Sequence, residues 1–203
     1  PGAQAIETVH HPCPLEDAGQ HRDRLTGADP EARGRAADAV RRTIDTAARL
    51  GAGAVVLHLG WVDDDAAATI RRLRFELDSR YRAGQAAGDR YARVRDRLRN
   101  EVAAREAEHL DRAIEALGPV LAHARLQGVT IGLETGLQPH ELPRPGGMRR
   151  LLDALAGTSV AAWLDTGHVG VQANLGLDGF DDWFAAVDGR WLGAHLHDVV
   201  GLR

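Results

Sequence analysis

Apolar and polar positions follow two different periods along this chain, and the points where one gives way to the other mark out its elements. Val40, Ile44, Ala47 and Leu50 recur at the three-to-four spacing of a helix face. Asp29-Pro30-Glu31 in front of them supplies a cap, a proline for the first turn and an acid near the positive end of the helix dipole, and Gly51 behind them supplies a stop. Ala54-Val55-Val56-Leu57-His58-Leu59-Gly60 behaves differently. It is too continuously apolar for an edge strand, which predicts a strand covered on both faces, as parallel strands are. Ahead of the helix, Ala3 to His11 predicts another strand, with Ile6 and Val9 among its apolar residues, stopped by His11-Pro12-Cys13-Pro14.

Residues 63 to 127 read as largely helical, with a break at Gly84 to Gly88. In the second half, Leu110, Ile114, Leu117, Leu121 and Ala124 form the stripe of a helix packed on a sheet, ending at Gly128. That helix is the crossover, which leaves residues 64 to 100 as an inserted helical arm. The pattern then repeats with less decoration. Val129 to Glu134 predicts a strand, Leu151, Leu152 and Leu155 a short helix, Val160 to Asp165 a strand, Phe180, Trp183, Phe184 and Val187 a helix, and Leu192 to Asp198 a last strand. Five strand-helix units with no tight hairpin between strands argue for an α/β fold with a parallel sheet. Residues 1 to 203 read as a single domain that carries the arm.

Strand period sharpens this. His58, Glu134, Asp165 and His195 sit toward the carboxyl ends of their strands, and residues two positions earlier share their face: Val56, Gly132, Trp163 and Gly193. Leu57, Leu133, Leu164 and Leu196 are predicted on the opposite, aliphatic face, suited to covering helices. A closed (β/α)8 barrel gathers functional residues at the carboxyl ends of many strands, whereas an open doubly wound sheet concentrates its site at one switch point. Five strand ends that each bear His, Glu or Asp favour the barrel.

Trp163-Leu164-Asp165-Thr166-Gly167-His168 delivers a carboxylate and then an imidazole across a strand-to-loop junction, so both can point into one mouth. Glu134, Asp165 and His195 form the leading candidate metal set. Mixed carboxylate and imidazole ligands suit Mn, Co, Fe or Zn and, less comfortably, Mg. His10, His58 and His168 form an outer ring for further metal or for substrate hydroxyls. Cys13 is read as a small buried apolar residue, and His109, His123 and His140 are predicted on surfaces without a role.

Composition narrows the class without naming a function. The chain has 203 residues, 44% apolar and 27% charged, with a formal net charge of -4, enough for one sizeable core. There is no apolar run of about 18 residues and no leader, so neither a membrane span nor secretion is expected. A single cysteine, Cys13, excludes an internal disulfide and fits a reducing cytoplasm. Every one of the 25 basic residues is arginine. Ten of them lie between Arg71 and Arg99 against four acids, interleaved with Phe75, Tyr81 and Tyr91, a face able to meet solvent, pair subunits or follow a phosphate backbone.

Val9-His10-His11-Pro12, Leu57-His58-Leu59-Gly60, Leu133-Glu134-Thr135-Gly136, Asp165-Thr166-Gly167-His168 and His195-Leu196-His197-Asp198, taken in order and spacing, resemble the xylose isomerase-like TIM-barrel superfamily of sugar isomerases and epimerases, inosose dehydratases and endonuclease IV. The resemblance implies that Glu134, Asp165 and His195 fall on shared metal ligands. It places His10, favoured over His11 by the H-x-P match, and His58 on positions that hold an additional zinc in the endonuclease branch. His168 falls on a position that holds a third zinc there or contacts substrate in the sugar branch. His197 and Asp198 resemble part of the endonuclease motif. The pattern also asks for a metal-binding Glu on a last strand, which does not occur before Arg203. The barrel is therefore expected to be incomplete here, lacking first and last strands, against about 250 residues in a typical barrel.

The resemblance implies a divalent-metal-dependent sugar or polyol isomerase or epimerase working through an enediolate, with Mn, Co, Mg or Zn as cofactor. Glu134 and His168 are the expected catalytic residues, and a small sugar or sugar phosphate is the expected partner. No membrane partner is expected, and the arm offers a route to a homo-oligomer. The alternative is a metal-dependent phosphodiesterase acting on abasic DNA, with nucleic acid the less favoured partner.

Overall fold

The computed structural model describes residues 5–13, 23–62 and 65–202. The chain opens with β1 (Thr8–His10), in which only Val9 is buried. The expected start of this strand at Ala3 lies outside the described residues. Helix α1 (Pro30–Leu50) begins at Asp29, whose carboxylate accepts the Glu31 N–H at 2.9 Å, and ends at Gly51 in the left-handed conformation. It buries Val40, Ile44 and Ala47, while Leu50 at the end of the stripe stays exposed.

Next come β2 (Ala54–Leu57), buried throughout, and the two-residue β3 (Gly60–Trp61). Helices α2 (Ala67–Arg82) and α3 (Asp89–Gln127) follow, separated by a break at residues 83–88. They zip together through Ile70, Leu73 and Leu77 on one and Tyr91, Val94, Leu98 and Val102 on the other, all buried. No break falls near residue 100. The same helix that builds half of the hairpin runs on as the crossover onto β4 (Thr130–Glu134), ending at Gly128.

The remaining elements are β5 (Glu141–Leu142), α4 (Pro145–Ala154), β6 (Val160–Asp165), α5 (Thr166–Asn174), α6 (Phe180–Val187) and β7 (Trp191–His195). Short β3 and β5 pair antiparallel as a separate two-stranded sheet.

The main sheet has the order β1-β2-β4-β6-β7, with every neighbouring pair parallel. Sequential order combined with right-handed crossovers sends every connecting helix to the same face. An open doubly wound sheet would instead reverse its order at a switch point. The result is an arc of a (β/α) barrel, part of the closed ring the sequence predicted. Leu57, Leu133 and Ile131 pack toward the helices in one continuous core with Ile44, Leu117 and Leu121.

The inner face is closed by Trp163. Its indole lies over Gly132 and Gly193: an added Cβ would come within 3.1 Å of Trp163 Cε3 at the first and 2.6 Å of Cη2 at the second. At Gly193 a side chain would force the ring to shift, and at Gly132 it would crowd it. A bulge where β6 meets β7 pairs Ala162 with Trp191 but Trp163 with Gly193, leaving Leu192 as the extra residue.

Three sequence expectations change here. The last strand stops at His195, so Leu196 is exposed beyond it instead of facing helices, and His197 and Asp198 lie in the following loop. His109, expected on a surface, is fully buried, because α3 packs against α1, α2 and α4 as well as β4 and hides a wider arc than one stripe. His140 is only partly exposed, edge-on to Trp61 at 6.2 Å between ring centroids. Among the described residues no helix is long and apolar enough to cross a membrane.

Candidate functional site

The parallel register sets Glu134, Asp165 and His195 on adjacent strand ends. Glu134 pairs across to Trp163, so Asp165 stands two residues further along on the same face, and His195 is level with Asp165. Both carboxylates are almost completely buried, which an apolar barrel mouth tolerates only when charges or hydrogen bonds answer them.

Glu134 is answered on both oxygens. Its Oε2 lies 3.1 Å from His10 Nε2 and 2.9 Å from His58 Nε2, and its Oε1 2.8 Å from His195 Nδ1. Asp165 Oδ2 lies 3.5 Å from His195 Nδ1, 3.3 Å from His197 Nδ1 and 3.7 Å from His168 Nε2. Its other oxygen accepts the His168 backbone N–H at 2.9 Å, so the same carboxylate caps α5 and faces the site. Burial opposes the ionisation of Glu134, but the hydrogen bonds with His10, His58 and His195 outweigh it and hold the carboxyl well below the usual range. The bond to Glu134 in turn raises His10 above the ordinary imidazole value.

The donor set fits a divalent cation on geometry of its own. His10 Nδ1 donates to the His11 carbonyl at 2.9 Å, and His168 Nδ1 donates to the Thr135 carbonyl at 2.7 Å. Each ring thereby turns Nε2 toward a carboxylate. A neutral imidazole would set a lone pair against carboxylate lone pairs, so a cation, either a proton or a metal ion, belongs between them. Backbone carbonyls on the far nitrogen are also how metal-binding imidazoles are held in orientation. His10, His58 and Glu134 offer ligand atoms within 4.8 Å of one another, as do Glu134, Asp165 and His168.

The structure thus brings together His10, His58, Glu134, Asp165, His168, His195 and His197. His195 and His197 reach Glu134 and Asp165 respectively but, like the exposed Asp198 past β7, lie outside both of these clusters. His11 turns the other way, with Nδ1 3.0 Å from Thr43 Oγ1 on α1. A cleft of about 470 Å³ opens beside His10 and His58, walled by Trp61, Arg24, Glu141 and Leu142. The Arg24 guanidinium carbon stands 3.1 Å from the Trp61 ring centroid, the placement of a cation over an aromatic face. Sequence reasoning gave no role to Arg24, Trp61, Thr135 or Thr166. For the threonines a signal was present, since each directly follows a candidate carboxylate in Glu134-Thr135-Gly136 and Asp165-Thr166-Gly167.

Fold and site together define a class: a (β/α) barrel with a carboxylate–imidazole cluster at the carboxyl ends of its strands. Within that class the chain belongs to the xylose isomerase-like TIM barrel family, whose model matches residues 17–202. Among solved structures it is similar to a D-tagatose 3-epimerase-like protein, with 17% identity and a TM-score of 0.59 over 95% of this chain and 57% of that one. It is similar also to a 3-keto-D-glucoside 4-epimerase from E. coli, with 12% identity and a TM-score of 0.61 over 96% and 59%. A D-allulose 3-epimerase from Methylomonas sp. gives 16% identity and a TM-score of 0.56 over 87% and 48%. At these identities the likeness is one of fold, and the chain spans roughly half the length of each. No curated protein matches the chain.

Proposed function

We propose that the protein is a divalent-metal-dependent isomerase or epimerase of a small sugar or polyol, free or phosphorylated. The observation that carries this is the pair of buried carboxylates, Glu134 and Asp165, with imidazole nitrogens turned toward them by backbone carbonyls on the opposite ring nitrogen. The fold-level likeness to sugar epimerases supports the same reading.

Glu134, Asp165 and His195 would hold Mn, Co, Mg or Zn. The ion would supply Lewis acidity toward a carbonyl oxygen and the neighbouring hydroxyl, favouring an enediolate path. The chain's own residues do the rest. Glu134, kept ionised by its imidazoles, is the carboxylate placed to accept a proton from the substrate carbon. His168, its Nδ1 fixed to the Thr135 carbonyl, presents Nε2 to a substrate hydroxyl. The cleft beside His10 and His58 leaves room for the remainder of a small sugar.

The test uses the full-length chain, stripped with a chelator and refilled with each ion in turn. Metal-dependent exchange of a ketose carbon-bound hydrogen for solvent deuterium, followed by NMR, is the expected result. A protein that binds no divalent ion and exchanges no hydrogen on ketoses or their phosphates would sink the proposal. One observation favours the phosphodiesterase alternative: His10 and His58 both face Glu134 Oε2, an imidazole pair that a one-metal isomerase does not require. Metal-dependent, salt-sensitive incision of a duplex carrying one abasic site would decide for it.

A further inference from the structure

We infer that Thr135 and Thr166 are positioning residues that set how tightly the site holds its metal; the inference rests on the metal-dependent reading above. Each threonine directly follows a candidate ligand, and each uses its hydroxyl to pin the ligands of the next strand.

At the end of β4 the last backbone rung is the Thr135 N–H to the Trp163 carbonyl, at 3.0 Å. The β4–β6 register ends at Glu134 and Trp163. There the Thr135 hydroxyl takes over as the next rung, accepting the Asp165 N–H at 2.9 Å, while the Thr135 carbonyl accepts His168 Nδ1 at 2.7 Å. One fully buried residue thus fixes the backbone under Asp165 and the ring of His168. The arrangement recurs one strand later. The Thr166 hydroxyl accepts the His197 N–H at 2.7 Å, and its own hydrogen can go to the His197 carbonyl at 3.0 Å or the His195 carbonyl at 3.3 Å. His195 and His197 are thereby tied to the residue that follows Asp165.

Threonine suits this role. A hydroxyl can accept and donate at once, as the end of a ladder requires, and the β-branch leaves the side chain few rotamers. Strand β2 ends at Leu57, and His58 just past it is followed by Leu59, which offers no hydroxyl.

The experiment compares Thr135→Val and Thr166→Val with Thr135→Ser and Thr166→Ser in the full-length chain, measuring Mn(II) affinity by calorimetry. Valine keeps the branched shape and removes the hydroxyl, and serine keeps the hydroxyl. Each valine variant is expected to weaken Mn(II) binding by about 10- to 100-fold, the range for residues that orient ligands, and each serine variant to recover most of the loss. A purely structural role would lower the melting temperature of the metal-free protein without that pattern of loss and rescue in affinity. Thr166 is only partly buried, so its pair carries the test should Thr135→Val not fold. Folded valine variants that bind Mn(II) as the parent does would overturn this inference alone. A parent protein that binds no divalent ion would overturn the metal-dependent reading, and this inference with it.

Discussion

Replacing Asp178 with asparagine should destabilise the protein by roughly 3 kcal/mol, the scale for breaking one side of a buried ion pair. Asp178 lies in the loop that follows α5, the helix carrying His168, and Arg144 stands at the entry to α4. Arg144 donates from Nε to Oδ2 and from Nη2 to Oδ1, both at 2.9 Å, in a two-pronged pair whose side chains are only 13% and 8% exposed. Arg99 of α3 comes within 3.8 Å of the same carboxylate. The pair thus clips the loop behind α5 to the loop before α4 and to the helical hairpin. Asparagine keeps one acceptor but sets an amide against the guanidinium, leaving a mostly buried charge half answered.

The control is the double replacement Arg144→Met with Asp178→Leu. Removing both charges together should come within about 1 kcal/mol of the parent, since well-packed apolar pairs commonly equal buried ion pairs. Urea unfolding of the parent, Arg144→Met, Asp178→Leu and the double variant gives the coupling, which should be about 2 kcal/mol or more with unchanged slopes. Asp178→Asn costing less than about 1 kcal/mol, or a double variant losing the sum of its two singles, would show that the clip carries no energy of the kind assigned here.

Two further outcomes follow from the core and from burial. Gly193→Ala should cost roughly 2 kcal/mol through overpacking against the Trp163 indole, and the loss should shrink when Trp163→Leu is introduced with it; equal losses in both backgrounds, read by thermal unfolding, would place the clash elsewhere. Glu106 is half-buried beside the Arg144 backbone N–H, and the desolvation raises its pKa, so the folded state keeps its proton longer than the unfolded state. The parent should therefore lose stability as pH rises from the unfolded value, about 4.3, through the raised folded value, whereas Glu106→Gln should not. A stability difference between the two that stays flat across that window in chemical unfolding would contradict this.

Much of the fold was legible in the sequence because its signals are local. Asp29, Pro30 and Gly51 bracket α1 through contacts within their own turns, and the stripe from Leu110 to Ala124 states which side of α3 is buried. The run Ala54 to Leu57 announces a strand covered on both faces. Glu134, Asp165 and His195 could be placed at the carboxyl ends of strands by counting residues, since a parallel strand fixes direction and a two-residue period fixes face.

What required the tertiary structure depends on partners distant in sequence. His109 is buried because α1, α2 and α4 close around α3, and no periodicity within α3 states how many neighbours it will have. The bulge at Leu192 and the early end of β7 at His195 come from fitting one strand beside another. That displaced Leu196 from the helix-facing side to solvent. Three imidazoles, from β1, from the residue just past β2 and from β7, converge on Glu134, and their combined effect on one buried carboxylate exists only when those strands lie in one sheet. The sequence by itself determined which residue types stand at the strand ends, because direction and face are properties of one strand. The tertiary structure alone decided which nitrogen meets which oxygen, because hydrogen bonds and charge interactions depend on distances between strands that a one-dimensional pattern does not contain.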